Sequence, residues 1–193
     1  MLLKAKIVFI FLLLLFSHSQ ITVNSLSNSI DLITELRVPT QKAGTQLKVG
    51  INKSQATLTS LLISKKKEYQ LQNERVWMFE IDKPLFSLLF LSKQWTNLNN
   101  VYRINVIKNL IDKYKDIQIN IIDNITSAKE VKQLLFQEVF PIHTKITDLI
   151  DDLTINQQYL LNQEILAIDA IIERHRTLQM GLVLVVLIIT IGI

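Results

Sequence analysis

Apolar residues follow two different patterns along this chain. At both ends they form nearly unbroken runs, from Ile7 to Phe16 and from Leu178 to Ile193, and neither run contains a charged residue. Between the ends they recur at steps of three and four, which is the spacing of a helix that buries one face. Only four Gly and three Pro interrupt the sequence. The pattern therefore predicts an all-α chain with an amphipathic middle and two apolar ends.

The middle divides into four predicted helices, separated by polar turns at 65–67, 95–100 and 124–128. A second helix, from about Glu68 to Lys93, contains Pro84, which predicts a kink, and its aromatic residues are expected in the core rather than in a ligand site. The apolar stripe of the first helix is Val23, Leu26, Ile30, Ile33, Leu47, Ile51, Leu58 and Leu61. The stripe of the third helix is Ile104, Ile107, Ile111, Tyr114 and Ile121.

The fourth predicted helix is the longest. Its stripe shifts phase near Asn156, a stutter that locally unwinds a supercoil, and Pro141 is expected to bend it. Because no Gly or Pro lies between Ile142 and Gly181, we expect one continuous rod that reaches the C-terminal apolar run. Its stripe is Leu135, Val139, Ile142, Ile146, Leu149, Leu153 and Leu160, followed by Leu161, Ile165, Ile168 and Ile172.

Short turns between long helices favour antiparallel neighbours. The predicted fold is thus an antiparallel up-down four-helix bundle over residues 24–177. Its long first and last helices would continue into two transmembrane helices, at 1–23 and 178–193, which contact membrane lipid. The C-terminal span would then be incomplete, so we expect the chain to be a fragment of a longer protein.

The N-terminal run allows two interpretations. Its ten apolar residues span about 15 Å, half of the hydrocarbon core, and fit a signal peptide cleaved after Ser19. They also fit a true span that continues to Val23, because Ser hydroxyls can bond to the helix backbone. In the second interpretation Lys4 and Lys6 hold the N-terminus in the cytoplasm, and residues 24–177 lie outside the cell membrane.

Composition excludes several kinds of chemistry. The chain has no cysteine, so disulfides, thiol nucleophiles and Cys-ligated metals are ruled out. The run at 65–67 is predicted to be a solvated loop, because a nucleic-acid site needs a broader basic face. The three histidines (His18, His143, His175) lack the spacing of a metal site. Asp148 and Asp152 lie one turn apart and could bind a cation or act as paired carboxylates, but we expect the acidic group (Asp148, Asp151, Asp152) to be a solvated helix face. We expect a non-enzyme without metal or cofactor.

One irregularity in the first stripe suggests a ligand site. Continued from Ile33, the stripe reaches Arg37, Thr40 and Gly44, so a charge and a hydroxyl occupy core positions. A buried Arg needs an anion, an acidic partner or water. The functional hypothesis is a pocket in which Arg37 and Thr40 bind a small anionic ligand. The alternatives are a salt bridge to a carboxylate of the fourth helix, or a rotated stripe that leaves Arg37 in water.

Three short segments, 36–40, 50–54 and 95–101, resemble the extracytoplasmic four-helix-bundle domain of bacterial methyl-accepting chemotaxis receptors and related sensor kinases. The resemblance covers about 24–176, although a Gly-Asp turn common in relatives is replaced here by 65–69. It implies the sensory part of a receptor in the bacterial inner membrane, forming a homodimer. Its input would be a small ligand or a periplasmic binding protein, and its output a region beyond Ile193. The alternative is a membrane-anchored helical interaction protein without a small-molecule ligand.

Overall fold

A computed structural model describes residues 2–124 and 127–191. Within those ranges the chain is all-α and contains no strand. The helices are α1 Leu2–Asp31, α2 Val38–Ser64, α3 Lys67–Arg75, α4 Lys83–Leu91, α5 Leu98–Asn124, α6 Ala128–Leu134 and α7 Phe140–Ile191. Three π-helical segments, Leu32–Arg37, Val76–Asp82 and Leu135–Val139, join helices without a break. We call the continuous stretch from α3 through α4 the second rod; it ends in a 3₁₀ turn, Ser92–Gln94.

The three prolines explain the three π-helical segments. Each proline follows a π segment by two residues: Pro39, Pro84 and Pro141. Proline has no N–H, and its ring clashes with the carbonyl four residues earlier, which in each case lies inside the π segment. Widening one turn relieves that clash while the rod continues. The kinks predicted at Pro84 and Pro141 are thus accommodated as π turns.

The predicted helix breaks agree with the structure at two turns. Lys65 adopts the left-handed conformation at the end of α2, with φ 53°, and residues 65–67 are exposed, as expected of a solvated loop. The turn around 95–97 separates α4 and its 3₁₀ extension from α5. Of the turn predicted at 124–128, residues 125 and 126 lie outside the described residues.

Residues 36–159 form one compact unit with an apolar core. The third predicted stripe is confirmed throughout, since all five of its members are buried. In the first part of α7 one core position belongs to Ile150 rather than to the predicted Leu149, which is only half-buried. The prediction for the aromatic residues of the second rod was right for Trp77 and wrong for three others: Phe79, Phe86 and Phe90 are exposed.

Ion pairs connect the helices of this unit around its surface. Lys48 Nζ on α2 lies 2.6 Å from both carboxylate oxygens of Asp151 on α7. Lys115 Nζ on α5 lies 3.0 Å from Asp82 Oδ2. All the partners are partly exposed, so each pair contributes at most about 1 kcal/mol to stability. Packing of the apolar core therefore dominates the stability of the unit.

Gly50 permits a close approach of two backbones in this unit. A Cβ built on Gly50 would collide with the carbonyl oxygen of Glu80. Glu80 is four residues before Pro84, so its carbonyl has lost the usual helical N–H donor. The π segment turns that carbonyl towards α2, and only a residue without a side chain fits opposite it.

A second unit consists of residues 1–35 and 160–193. In it the rings of His18 and His175 stack with centroids 5.5 Å apart. The first half of the stripe predicted for helix one belongs to this unit and is not buried: Val23 and Ile30 are exposed.

One helical stretch among the described residues, within Phe9–Ser64, contains a window long and apolar enough to cross a membrane, and none of that window is buried. A signal sequence near an N-terminus passes the same test. The C-terminal run from Leu178 does not add a second such helix within the described residues, and residues 192–193 of the predicted span lie outside them.

Candidate functional site

Arg37 and Thr40 are both buried, so the alternative in which the stripe turns Arg37 towards water is wrong. Their exposed fractions are 5% and 1%. Arg37 Nη1 donates a hydrogen bond of 3.3 Å to Oε1 of Gln157, a fully buried residue of α7. Thr40 Oγ1 and Gln157 Nε2 make no hydrogen bond among the described residues. The structure thus adds Gln157 to the predicted polar position, and the anionic ligand remains a prediction.

A second set of polar side chains lies deeper in the same unit, and the sequence analysis missed it. Oε1 of Gln118, on α5, is surrounded by three donors from other helices. The distances are 2.9 Å to Ser54 Oγ, 3.1 Å to Asn73 Nδ2 and 3.1 Å to Trp77 Nε1. Thr57 Oγ1 completes the set, 2.9 Å from Asn73 Oδ1. We call these five residues the polar layer.

Two residues of the polar layer could have been predicted by the criterion used for Arg37, a polar residue at a core position of an apolar stripe. Ser54 continues the step of three and four from Leu47 and Ile51, and Gln118 stands between Tyr114 and Ile121 in the third stripe. Each is a polar residue at a core position. Ser54 and Gln118 are 0% and 1% exposed, so neither is hydrated at the surface.

The indole of Trp77 fixes the orientation of the Gln118 amide. An indole N–H can only donate, so the atom that faces it must be the amide oxygen. The NH₂ group of Gln118 then points away from the three donors and finds no acceptor among the described residues. A buried donor without a partner costs about 1–3 kcal/mol. A ligand or a water molecule that offers an oxygen would remove this cost.

Tyr114 lies one helical turn from Gln118 and is fully buried. Burial raises the pKa of its phenol above the ordinary value, because the phenolate would be poorly solvated. The amide of Gln118, which faces this hydroxyl, acts in the opposite direction on the pKa. The hydroxyl stays protonated at neutral pH and is a second buried donor beside the first.

The polar layer reaches the surface through a groove between α5 and the rod formed by α3 and the π segment Val76–Asp82. The groove holds about 420 Å³, within the range of small-molecule sites. Its polar lining residues, besides Trp77, are Gln70, Asn73, Glu74, Asp82, Lys115, Gln118 and Asp123. Lys115 Nζ lies 5.1 Å from the centre of the Trp77 ring and also pairs with Asp82. An amide of the buried layer and three carboxylates therefore face one space.

The other candidate groups form no catalytic or metal-binding set within the described residues. Asp148 and Asp152 are exposed, as predicted for a solvated face, and Asp151 pairs with Lys48. No group of three metal-ligating side chains occurs within the described residues. His143 bonds through Nε2 to Asn52 Oδ1 at 2.9 Å, and partial burial lowers the pKa of its imidazole.

Comparison with known proteins gives no relative from which a role could be transferred. No family model matches the chain, and no curated protein or solved structure shows significant similarity to it. The assignment of a function therefore depends on the geometry of the polar layer and its groove.

Proposed function

We propose that this chain is the sensory part of a bacterial transmembrane receptor of the methyl-accepting chemotaxis type, with residues 24–177 outside the cell membrane. The observation that carries the proposal is the polar layer, which is buried in the core and opens on a groove of about 420 Å³. A bundle that served only as a support would be more stable with apolar residues there. Local departures from good packing are typical of functional sites.

The fold that we propose for the sensory part is an antiparallel four-helix bundle. Contacts between α2 and α7 support it, because residue numbers rise on one helix as they fall on the other. The contacts are Arg37 with Gln157, Lys48 with Asp151, and Asn52 with His143, where Arg37 belongs to the π segment before α2. The contacts of α5 with α7 and with the π segment before it run in the same sense, from Asn100 with Asn156 to Lys113 with Glu138.

The proposed signal travels along α7. This helix carries core residues such as Ile146 and Ile150, and it continues without a break to Ile191. A ligand that prefers one of two packings of the core would shift α7 along or about its axis. Because the helix would enter the membrane as a second span, a small displacement outside would reach the cytoplasm. We also propose that two copies form the working dimer.

A labelling experiment tests the proposed topology. The chain has no cysteine, so a single one can be introduced without background. We expect Lys66→Cys, in the exposed loop after α2, to react with a membrane-impermeant maleimide in intact cells. Lys4→Cys is the matched control and should react only after lysis. Protection of Lys66→Cys in intact cells would contradict an extracytoplasmic domain.

A receptor chimera tests the sensory role itself. The chain is joined through Ile193 to the cytoplasmic signalling region of a chemotaxis receptor, and the output kinase activity is measured. We expect a ligand of the domain to change that activity, and the change to disappear when α7 is uncoupled by a Gly-Gly insertion after Arg176. A chimera whose output never responds to a ligand that demonstrably binds would refute the sensory role.

A second candidate function is supported by an exposed apolar row. Four side chains of the second rod are between 57% and 72% exposed: Met78, Phe79, Phe86 and Phe90. Such a row is typical of an interaction surface. It favours a membrane-anchored helical protein that binds another helix. If Phe86→Ser abolished capture of a different helical protein while the groove bound nothing, this second function would replace the first.

A further inference from the structure

The exposed apolar row of the second rod is large enough to be the centre of an interface. Its four side chains, Met78, Phe79, Phe86 and Phe90, are between 57% and 72% exposed. Since a side chain of this size can bury about 200 Å², the four leave roughly 500 Å² of apolar surface in water. A patch of that area on one chain is often an interaction site.

The area of the row is sufficient for a dimer of two identical chains. Two rows that cover each other would bury roughly 1,000 Å² in these side chains alone, and a specific interface needs about that much or more in total. The polar groups on either side of the row would add to it. A second copy of the chain therefore matches the row in size.

The charges beside the row differ between its two sides. Glu74 and Asp82 line the groove that the second rod shares with α5, so they lie on the α5 side. Phe79 and Lys83 line a groove that the rod shares with α2, so they lie on the α2 side. Arg75 precedes Phe79 by one helical turn and is on that side too. Acids of the row thus face α5, and its two bases face α2.

Three of these charges have no counter-charge in their own chain. Within the described residues no ion pair engages Glu74, Arg75 or Lys83. The other two acids of the rod, Asp82 and Glu80, pair with lysines of the same chain. The α5 side therefore keeps an uncompensated negative charge and the α2 side keeps uncompensated positive charges.

Symmetry decides which sides meet in a dimer. Two copies anchored in one membrane are related by a two-fold axis along the membrane normal, so equivalent rods would lie side by side and run parallel. Rotation about that axis brings the α5 side of one rod against the α2 side of the other at the same height. Glu74 then faces the partner's Arg75, and opposite charges attract across the interface. Antiparallel rods would bring like sides together instead.

We propose that the second rod is the face through which two copies of this chain form a parallel dimer. Phe79, Phe86 and Phe90 are buried between the two rods, and Glu74 pairs with the partner's Arg75. This inference rests on the proposed function, because it places the interface of the working dimer and requires both copies in one membrane. It differs from the second candidate function, in which a different helical protein covers the row.

Cysteine cross-linking tests the parallel arrangement, and the natural chain adds no background because it has no cysteine. Parallel rods place each interface residue opposite its own counterpart at every height. We therefore expect Phe86→Cys and Phe90→Cys, each alone, to form disulfide-linked dimers when membranes are oxidised with copper phenanthroline. Asp148→Cys, exposed on α7, is the control and should stay monomeric. Cross-linking at only one of the two row positions, or equally at residue 148, would overturn the proposal.

A charge exchange tests the pairing of the two sides. By symmetry Arg75→Glu alters two ion pairs and sets like charges against each other, so we expect the dissociation constant of the dimer to rise about tenfold. Adding Glu74→Arg exchanges the sides and should restore the natural value to within about threefold. Both side chains are exposed, so the fold is retained. Sedimentation equilibrium of the full chain in density-matched micelles measures all three.

A matched charge change elsewhere is the control for this experiment. Lys145→Glu, at an exposed position of α7, should leave the dissociation constant unchanged. Equal weakening by Lys145→Glu and Arg75→Glu, or no recovery on adding Glu74→Arg, would refute the pairing across the rods.

Phe86→Ser tests the apolar centre and decides between the two occupants of the row. We expect it to raise the dissociation constant of the dimer at least about tenfold, as for a central aromatic residue of an interface. If it left self-association unchanged and abolished capture of a different helical protein, the row would belong to the second candidate function and the dimer interface would fail.

The receptor chimera separates this proposal from the sensory function. If Phe86→Cys cross-links in the chimera but the kinase output never responds to a ligand that demonstrably binds, the interface stands and the sensory function fails. If the chimera responds while Phe86→Ser leaves its dimerisation unchanged, the sensory function stands and the interface fails.

Discussion

At the scale of single residues, Gly44 and Gly50 look equivalent in the sequence and face different obstacles in the structure. Both are buried on α2. A Cβ on Gly44 would meet only a side-chain atom, the methyl group of Thr154, at 2.6 Å. A Cβ on Gly50 would meet the Glu80 backbone, which is fixed by the π segment.

We therefore expect Gly50→Ala to lower the free energy of unfolding by about 3 kcal/mol, the upper range for overpacking a core. For a chain of this size the melting temperature should fall by about 10 °C. Gly44→Ala is the control: strain and the better helix propensity of Ala should offset each other to within about 1 kcal/mol. Thermal unfolding followed by circular dichroism measures both, and equal losses would contradict the backbone collision.

Removing the acceptor at the centre of the polar layer should lower the free energy of unfolding more than removing a surface amide does. Gln118→Leu leaves Asn73 Nδ2 and Trp77 Nε1 without the oxygen that they share. We expect a loss of about 3 kcal/mol, because two buried donors become unpaired. Gln72→Leu, at an exposed position of α3, should change stability by less than about 0.5 kcal/mol. Urea titrations of both variants provide the comparison.

His143 gives the stability a pH dependence of known sign. Burial lowers the pKa of its imidazole in the folded state, so the unfolded chain takes up the proton at a higher pH. Stability is then complete above the ordinary histidine pKa, about 6.5, and decreases as the pH falls from there towards the lowered value. His143→Gln should flatten the difference between unfolding free energies at pH 7 and pH 5. An unchanged difference would assign the effect to other groups.

At this scale the sequence is enough to identify polar residues in core positions. It does not show how they pair. Arg37, Thr40, Ser54 and Gln118 all interrupt apolar stripes. The partner of Gln118 is set by the axial offset of α5 against α3, and no local pattern encodes that offset. The pairing inside the polar layer therefore became visible only when the helices were packed.

At the scale of the elements, a π segment and a glycine form one unit across two helices. Pro84 removes the donor for the Glu80 carbonyl, and Gly50 gives that carbonyl room. Pro84→Ala would restore the donor and allow the carbonyl to return to its own helix.

A double-mutant cycle tests this coupling. We expect Gly50→Ala to cost at least about 1 kcal/mol less in the Pro84→Ala background than in the natural chain, because the obstacle has moved. Pro141→Ala is the matched control, since its π segment, Leu135–Val139, is a different one. Additive effects of Gly50→Ala and Pro84→Ala would disprove the link.

The π segments also limit what a periodic pattern can predict. Within the second rod α4, Lys83–Leu91, is apolar on nearly every face, so the sequence marks its outer side poorly. Burial of Trp77 together with exposure of Phe79 and Phe86 follows from the phase of the helix, which the π turn alters. A fixed step of 3.6 cannot follow that change, whereas the uninterrupted stripe of α5 was predicted fully.

At the scale of the whole molecule, the membrane arrangement depends on how the N-terminus is processed. The same apolar chemistry serves a signal peptide and a true span, so neither the sequence nor the exposed helix separates them. For the receptor we expect an intact N-terminus. Mass spectrometry of the protein purified from membranes checks this, and a mature chain that begins at Gln20 would establish cleavage after Ser19.

The match between Gly50 and the Glu80 carbonyl has a consequence for descent. If residue 50 changes first, the new Cβ collides with the Glu80 carbonyl. If Pro84 is lost first, the carbonyl can return to its own helix, and residue 50 no longer has to be glycine. Lineages can thus leave this arrangement by one order of steps more readily than by the other. When diverged copies of this gene are compared, proline at 84 should be accompanied by glycine at 50, while chains without the proline should accept alanine or serine there.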